Sequence, residues 1–133
     1  MKYFIGNWKM FGVPSSIHIL KKINTYVKAD KNRKKYKVII TPPFTLIESF
    51  SKKIKKNPIK IGAQNCYFKN YFSSDTGAIS PFMLKKIQTQ YVIIGHSDNR
   101  AEGDNDQILK NKVKYCIQNK MKVIFCVGEN LKE

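Results

Sequence analysis

Apolar and polar positions follow one another along the chain in blocks that predict strands and amphipathic helices in turn. The clearest strand is the run Tyr91–Ile94, in which β-branched and aromatic residues continue without a polar interruption up to Gly95. Such continuous hydrophobicity is typical of a parallel strand that is covered on both faces. His96 and Ser97 follow this run directly after Gly95. In sheets of this kind, ligands bind at the carboxyl ends of the strands.

Other blocks repeat this order of strand and helix. We predict strands over residues 3–6, 36–41, 59–65, 91–94 and 122–127, and helices over 14–27, 46–54, 80–87 and 104–120. This alternation implies right-handed crossovers and a parallel sheet. The pattern alone does not separate an open doubly wound sheet from part of a closed barrel. No Gly-x-Gly-x-x-Gly follows the first strand, so the usual dinucleotide fingerprint is missing, which favours the barrel.

One connection, residues 66–80, is long for a simple loop and contains four aromatic residues. Loops of this length in compact domains are usually functional or disordered, and the aromatic content argues against disorder. We expect something to cover these rings, and a partner subunit is one candidate.

The chain of 133 residues is long enough for a single domain, 1–133, with a real core. Its formal net charge is +16, but only Arg33 and Arg100 among the 25 basic residues are arginine. Nucleic-acid readers usually add arginine and exposed aromatic residues at a defined patch. We therefore expect a solvated lysine-rich surface that assists the attraction of an anion, with no nucleic-acid partner.

The three cysteines, Cys66, Cys116 and Cys126, lie far apart in the sequence. We expect no close pair among them, no disulfide framework and no zinc spacing, which favours a reducing compartment. We expect Cys126 to be a packed core residue.

No apolar run approaches the ~20 residues of a membrane span, and the opening apolar run is too short for a signal peptide. These features predict a cytoplasmic protein without a membrane partner.

Five short blocks at the predicted strand ends are more specific than any single residue. They are Gly6-Asn7-Trp8-Lys9-Met10, Gln64-Asn65-Cys66-Tyr67, Thr76-Gly77 with residues 79–84, residues 92–97, and Cys126-Val127-Gly128-Glu129. With these blocks in this order, the chain resembles triosephosphate isomerases over essentially its whole length. The resemblance implies roughly the first five strands, with their helices, of an α/β (β/α)₈ barrel.

The resemblance also implies an activity and roles for named residues. The activity is the interconversion of dihydroxyacetone phosphate and D-glyceraldehyde 3-phosphate through an enediol(ate), in glycolysis and gluconeogenesis, without cofactor or metal. Asn7 and Lys9 would bind substrate, and the Lys9 ammonium would also face the charge that develops on oxygen. His96 would be the electrophile, a neutral imidazole that hydrogen-bonds the reacting oxygens, as the family is known to use it. Ser97-Asp98 could start a short helix after it.

The resemblance further implies a homodimer, in which Thr76 lies on the loop that enters a neighbouring subunit. Phe11 and Ala78 stand where the family commonly has asparagine and glutamate, so polar partners of that contact are missing. Asp98-Asn99 stand where Glu-Arg is common.

The catalytic glutamate and the phosphate-binding amides of the family follow the sixth, seventh and eighth strands, which would lie beyond residue 133. A barrel of this type needs ~250 residues. Glu129 belongs to the fifth-strand block, and we expect it to form a structural ion pair, not to act as the base. We therefore expect the 133-residue chain alone to be inactive. The alternative is a non-catalytic half-barrel that binds an anion or a protein partner.

Overall fold

The computed structural model describes residues 1–54 and 56–128 and contains a five-stranded parallel sheet in the order β1-β2-β3-β4-β5. The strands are β1 (Lys2–Asn7), β2 (Tyr36–Thr41), β3 (Lys60–Ala63), β4 (Tyr91–Ile94) and β5 (Lys122–Phe125). Each strand pairs with the next one along the chain, and the sheet curls into a half-barrel. The predicted fold, an α/β chain with the first five parallel strands of a barrel, is confirmed.

Among the residues that the structure describes, five α-helices connect or follow these strands, at nearly the predicted positions. They are α1 (Ile17–Ala29), α2 (Phe44–Ile54), α3 (Pro81–Lys86), α4 (Ser97–Ala101) and α5 (Asp106–Gln118). The last helix is shorter than predicted because the Asn105 side chain accepts a hydrogen bond from the Ile108 backbone N–H and caps its start. The short helix expected directly after His96 is present as α4.

The strand register aligns the carboxyl ends of the strands. Six residue pairs join β1 to β2, from Lys2 opposite Tyr36 to Asn7 opposite Thr41. Four pairs join β4 to β5. Because parallel strands end together, the polar residues that follow β1, β3 and β4 meet at one rim of the half-barrel.

The core lies between the sheet and the helices. Phe50, Leu20 and Ile47 are fully buried there together with Val92 and Ile94, and burying side chains of this size contributes about 1.5–3 kcal/mol each. All four residues of β4 are buried, as its uninterrupted hydrophobicity predicts. Trp8 packs its ring edge-on against Phe50, which agrees with a packing role.

The two outer strands are much more exposed than β4. Phe4 on β1 is 56% exposed and Phe125 on β5 is 46% exposed. Neither strand has a second neighbouring strand within residues 1–54 and 56–128. Both edges of the half-barrel therefore present apolar surface.

The expectation that no two cysteines form a close pair is wrong. Cys66, just after β3, and Cys116, on α5, place their Sγ atoms 3.5 Å apart, and both residues are buried. The sequence does not reveal this contact, because the fold brings the segment after β3 against α5 from a distant part of the chain.

The expectation that Cys126 is a packed core residue is also corrected. Cys126 is only half-buried, because it follows the exposed strand β5.

Two aromatic residues of the long connection between β3 and α3 pack against α3. Tyr71 and Phe72 both pack against Phe82, yet they remain 61% and 79% exposed. Nothing in the described part of the chain covers them fully.

Among residues 1–54 and 56–128, no helix is both long and apolar enough to cross a membrane.

Candidate active site

A strained turn at the end of β1 positions Lys9. Asn7 is the last residue of β1, and its Oδ1 accepts a hydrogen bond of 2.9 Å from the Lys9 backbone N–H. Lys9 has a φ of 49°, in the left-handed region, which costs a residue with a Cβ roughly 1–2 kcal/mol. Backbone strain of this kind is typical of functional sites, where the surrounding structure maintains it.

Gln64 helps to maintain the turn. It follows β3 directly, and its Nε2 donates to the backbone carbonyls of Lys9 (2.7 Å) and Thr41 (2.9 Å). The ends of β1, β2 and β3 are thereby joined by one amide group. Sequence reasoning places Gln64 within a matched block but does not assign it this role, although its position after a buried strand is the available signal.

His96 is oriented by the first turn of α4. The ring is 23% exposed, and its Nδ1 accepts a hydrogen bond of 3.1 Å from the Asp98 backbone N–H. An accepting Nδ1 carries no proton, so the ring proton is on Nε2, which can donate to a ligand oxygen. The Asp98 carboxylate lies 3.6 Å from Nδ1, too far for a good hydrogen bond, so the backbone contact decides the tautomer.

The Lys9 ammonium connects the β1 turn to α4. Its Nζ lies 3.3 Å from Asp98 Oδ2, and both side chains are more than half exposed. An exposed ion pair adds at most about 1 kcal/mol to stability. Its main effect is to place the flexible lysine next to the His96 turn.

Asn7, Lys9 and His96 line one cavity of about 560 Å³, together with Gln64, Asn65 and Asp98. We call it the strand-end pocket. Its size is in the range of small-molecule sites. The structure thus places three of the four predicted site residues together. Thr76 lies exposed on the long connection, away from the pocket lining.

A buried ion pair supports the pocket from one side. Lys112 on α5 donates to both carboxylate oxygens of Asp104, at 2.7 and 2.6 Å, and to Asn65 Oδ1 at 2.9 Å. The lysine side chain is only 4% exposed. Asn65 is thereby fixed at the pocket lining. Sequence reasoning missed this cluster, because a lysine on a lysine-rich helix gives no sign of being buried.

Arg100 on α4 ties the ends of β4 and β5 together. Its guanidinium donates to the carbonyls of Gly95 (2.8 Å) and Cys126 (3.3 Å) and lies over the Phe125 ring. Gly95 has a φ of 77°, and a Cβ there would come within 2.9 Å of the arginine. Both the backbone conformation and the space favour glycine directly before His96. The ion pair expected of Glu129 lies outside the described residues.

The turn that carries Thr76 is fastened by Asp75. Its carboxylate accepts hydrogen bonds from the side chains of Lys69, Ser73 and Tyr67. The Lys69 contact, followed by the Ser73 contact, lowers the pKa of Asp75 to about 2. Asp75 thus remains ionised across the physiological range and holds the loop around it.

Similarity to known proteins covers almost the whole chain. A family model described as triosephosphate isomerase matches residues 2–133. The chain belongs to the triosephosphate isomerase family. The enzyme of that name from Thermodesulfovibrio yellowstonii is 36% identical over 133 residues, which cover 99% of this chain and 53% of that relative. The one from Wolbachia pipientis wMel is 41% identical over 128 residues, 95% of this chain and 49% of the relative.

A solved structure agrees with the family assignment. The crystal structure of triosephosphate isomerase from Bartonella henselae superposes with a TM-score of 0.88 at 33% identity, covering 98% of this chain and 53% of that chain. The chain spans about half the length of the curated relatives it matches.

The chemistry available in the strand-end pocket follows from its side chains. It offers a hydrogen-bond donor in His96, a cation in Lys9 and an amide in Asn7. Residues 1–54 and 56–128 contain no group of three or more His, Cys, Asp or Glu side chains that could hold a metal ion.

Proposed function

We propose that the full-length natural protein interconverts dihydroxyacetone phosphate and D-glyceraldehyde 3-phosphate by proton transfer through an enediol(ate), as a step of glycolysis and gluconeogenesis. The observation that carries this proposal is the hydrogen bond from the Asp98 N–H to His96 Nδ1. It leaves Nε2 as the donor in a ring that lines the same pocket as Lys9. Family membership supports the choice of substrate.

In this mechanism His96 acts as an electrophile. Its Nε2–H donates to the substrate carbonyl oxygen, and the bond strengthens as negative charge develops there in the transition state. The Lys9 ammonium neutralises part of the same charge and attracts the anionic substrate, and the Asn7 amide orients it. The strained turn and the Gln64 contacts hold Lys9 in place before substrate arrives, which reduces the reorganisation that the reaction requires.

We propose that the base and the phosphate site come from the remainder of the full-length protein. Within the described residues, the strand-end pocket sets Lys9 against two carboxylates, Asp98 and Glu102, so this half offers little net positive charge to a phosphate. The resemblance assigns the proton-abstracting glutamate and the phosphate-binding amides to later strands. The 133-residue chain alone is therefore proposed to lack turnover.

The chain contains two histidines, which allows a matched test. In the full-length protein, produced in cells that lack their own isomerase, His96→Gln is expected to lower kcat by about 10²–10³-fold with a smaller change in KM, because it removes a donor used mainly in the transition state. His18→Gln is the control. His18 is exposed on α1, outside the strand-end pocket, and its ring hydrogen-bonds the Ser15 carbonyl.

Steady-state kinetics in both directions give the readout. A His96→Gln enzyme with the kcat of the wild type would contradict the assigned role. A full-length wild type that binds a triose phosphate analogue without turnover would instead favour a non-catalytic role in binding an anion.

We also propose a cytoplasmic homodimer. Support comes from the exposed Tyr71 and Phe72 on the loop that carries Thr76, and from three free cysteines. Sedimentation of the full-length protein tests the dimer. Thr76→Arg should shift it toward monomer, and a monomeric wild type would contradict the proposal.

A further inference from the structure

Two buried thiols that the proposed reaction does not use lie in contact. Cys66 and Cys116 place their Sγ atoms 3.5 Å apart, and neither residue is more than 3% exposed. A disulfide requires a separation of about 2.0 Å. The two sulfurs therefore need only a small approach, which side-chain rotation and a slight shift of the loop after β3 can supply.

A small cavity reaches one of the two thiols. Its volume is about 180 Å³, and Cys66 lines it together with Asn65, Gly77 and Lys112. A water molecule occupies roughly 30 Å³, so a molecule as small as hydrogen peroxide fits. Cys116 does not line the cavity and is fully buried. The two cysteines thus differ in access: Cys66 can meet a small oxidant and Cys116 can meet only Cys66.

The surroundings of the pair affect how fast the Cys66 thiol can be oxidised. The hydrogen bond between the two thiols and burial raise the pKa of Cys66, while the nearby Lys112 ammonium acts in the opposite direction and Asp104 reinforces the increase. Since the thiolate is the nucleophile, reaction at neutral pH is expected to be slow and to accelerate as the pH rises.

We propose that Cys66 and Cys116 form an intramolecular disulfide when the protein reacts with hydrogen peroxide. The Cys66 sulfur attacks one peroxide oxygen, the O–O bond breaks, and a sulfenic acid and water form. The Cys116 sulfur then attacks the Cys66 sulfur, the S–S bond forms, and the S–O bond breaks with release of a second water. In total, two thiols lose two hydrogens and one peroxide is reduced to two waters.

The cross-link joins the start of the 66–80 connection to α5. Cys66 directly follows Asn65, whose Oδ1 accepts hydrogen bonds from the Cys66 N–H and from Lys112. Oxidation would therefore occur one residue away from the lining of the strand-end pocket.

Peptide mapping of the full-length natural protein tests the proposal. The reduced protein is treated with hydrogen peroxide, alkylated, unfolded, alkylated again and digested with trypsin. We expect the peptide of residues 61–69 joined to that of residues 115–120, two hydrogens lighter than their sum. This link should exceed any link to the Cys126 peptide, residues 123–132, by about tenfold or more, because contact sets the rate of exchange. Recovery of the first two peptides unlinked and alkylated would overturn the proposal.

Variants separate the two steps. Cys116→Ser should leave a sulfenic acid on Cys66 that a 1,3-dione traps, whereas Cys66→Ser should leave Cys116 unmodified. Cys126→Ser is the control and should retain the cross-link. Modification of Cys116 in the Cys66→Ser protein would contradict the assigned order.

The wild-type chain gives a test that requires no variant to fold. In urea, where the native contact is lost, the preference for the Cys66–Cys116 link over links to Cys126 is expected to fall. An unchanged preference in urea would show that the fold does not direct the pairing.

Discussion

Lys112 shows how much a single buried charge contributes to this half-barrel. Its ammonium is held by both oxygens of Asp104 and by Asn65, almost out of contact with solvent. We predict that Lys112→Met lowers the free energy of unfolding of the full-length protein by about 3–5 kcal/mol, because Asp104 is left as a buried charge without a partner. Urea denaturation followed by circular dichroism measures the change.

Two further variants identify the cause of that loss. Lys110→Met, an exposed lysine on the same helix, should change stability by less than about 0.5 kcal/mol. Adding Asp104→Leu to Lys112→Met should recover much of the loss, since an apolar pair can replace a buried ion pair. Equal effects of the two lysine variants would show that Lys112 is an ordinary surface residue.

For individual residues, sequence reasoning identified polar side chains at the strand ends, but it missed contacts between side chains that are distant in the sequence. The residues Asn7, Lys9 and His96 could be selected because they stand in the matched blocks at the strand ends, to which the family resemblance assigns roles. Lys112 could not, since its Asn65 partner lies 47 positions away in the sequence. The contact between Cys66 and Cys116 spans 50 positions and was hidden for the same reason.

At the scale of elements, the long connection depends on the Asp75 carboxylate. Its pKa in the folded protein is about 2, below the ordinary value of 3.8, so its contacts stabilise the loop above pH 3.8 and are lost as the pH falls toward 2. We predict that Asp75→Asn speeds amide hydrogen exchange across residues 67–78 at pH 6. The difference from the wild type should shrink as the pH falls from about 4 to about 2.

A suitable control for the loop is Glu48→Gln, which removes an exposed ion pair with Lys52 on α2. Exposed pairs contribute little, so exchange in the loop should not change. A difference between Asp75→Asn and wild type that persisted unchanged to pH 2 would show that the carboxylate charge is not the cause.

Element type was predictable from hydrophobic period, whereas element ends depended on local hydrogen bonds. The strand 59–65 predicted from apolar residues is shortened to Lys60–Ala63, because Gln64 and Asn65 turn their side chains to Lys9 and Lys112 instead of extending the sheet. Of the loop aromatics, which were expected to be covered, Tyr71 and Phe72 pack against Phe82 and remain exposed. The pattern predicts apolar surface but does not say which surface covers it.

For the whole molecule, the order of strands was decided by long-range packing that the pattern does not contain. Alternating strands and helices are compatible with an open sheet or with a barrel. The five matched blocks decided between them through family resemblance, and the parallel order β1 to β5 agrees. This order leaves the half-barrel with two apolar edges, because within the described residues each outer strand has a neighbouring strand on one side only.

These edges lead to a prediction about the 133-residue chain produced alone. Phe4 and Ile5 on β1 and Phe125 on β5 are exposed, and open strand edges with apolar side chains pair with other chains. We expect a sedimentation coefficient that rises with concentration. Phe4→Lys should weaken this association, whereas Ile117→Lys, an equally exposed apolar position on α5, should not, with circular dichroism confirming that both variants fold. A monomer at every concentration, or equal effects of the two lysines, would contradict edge pairing.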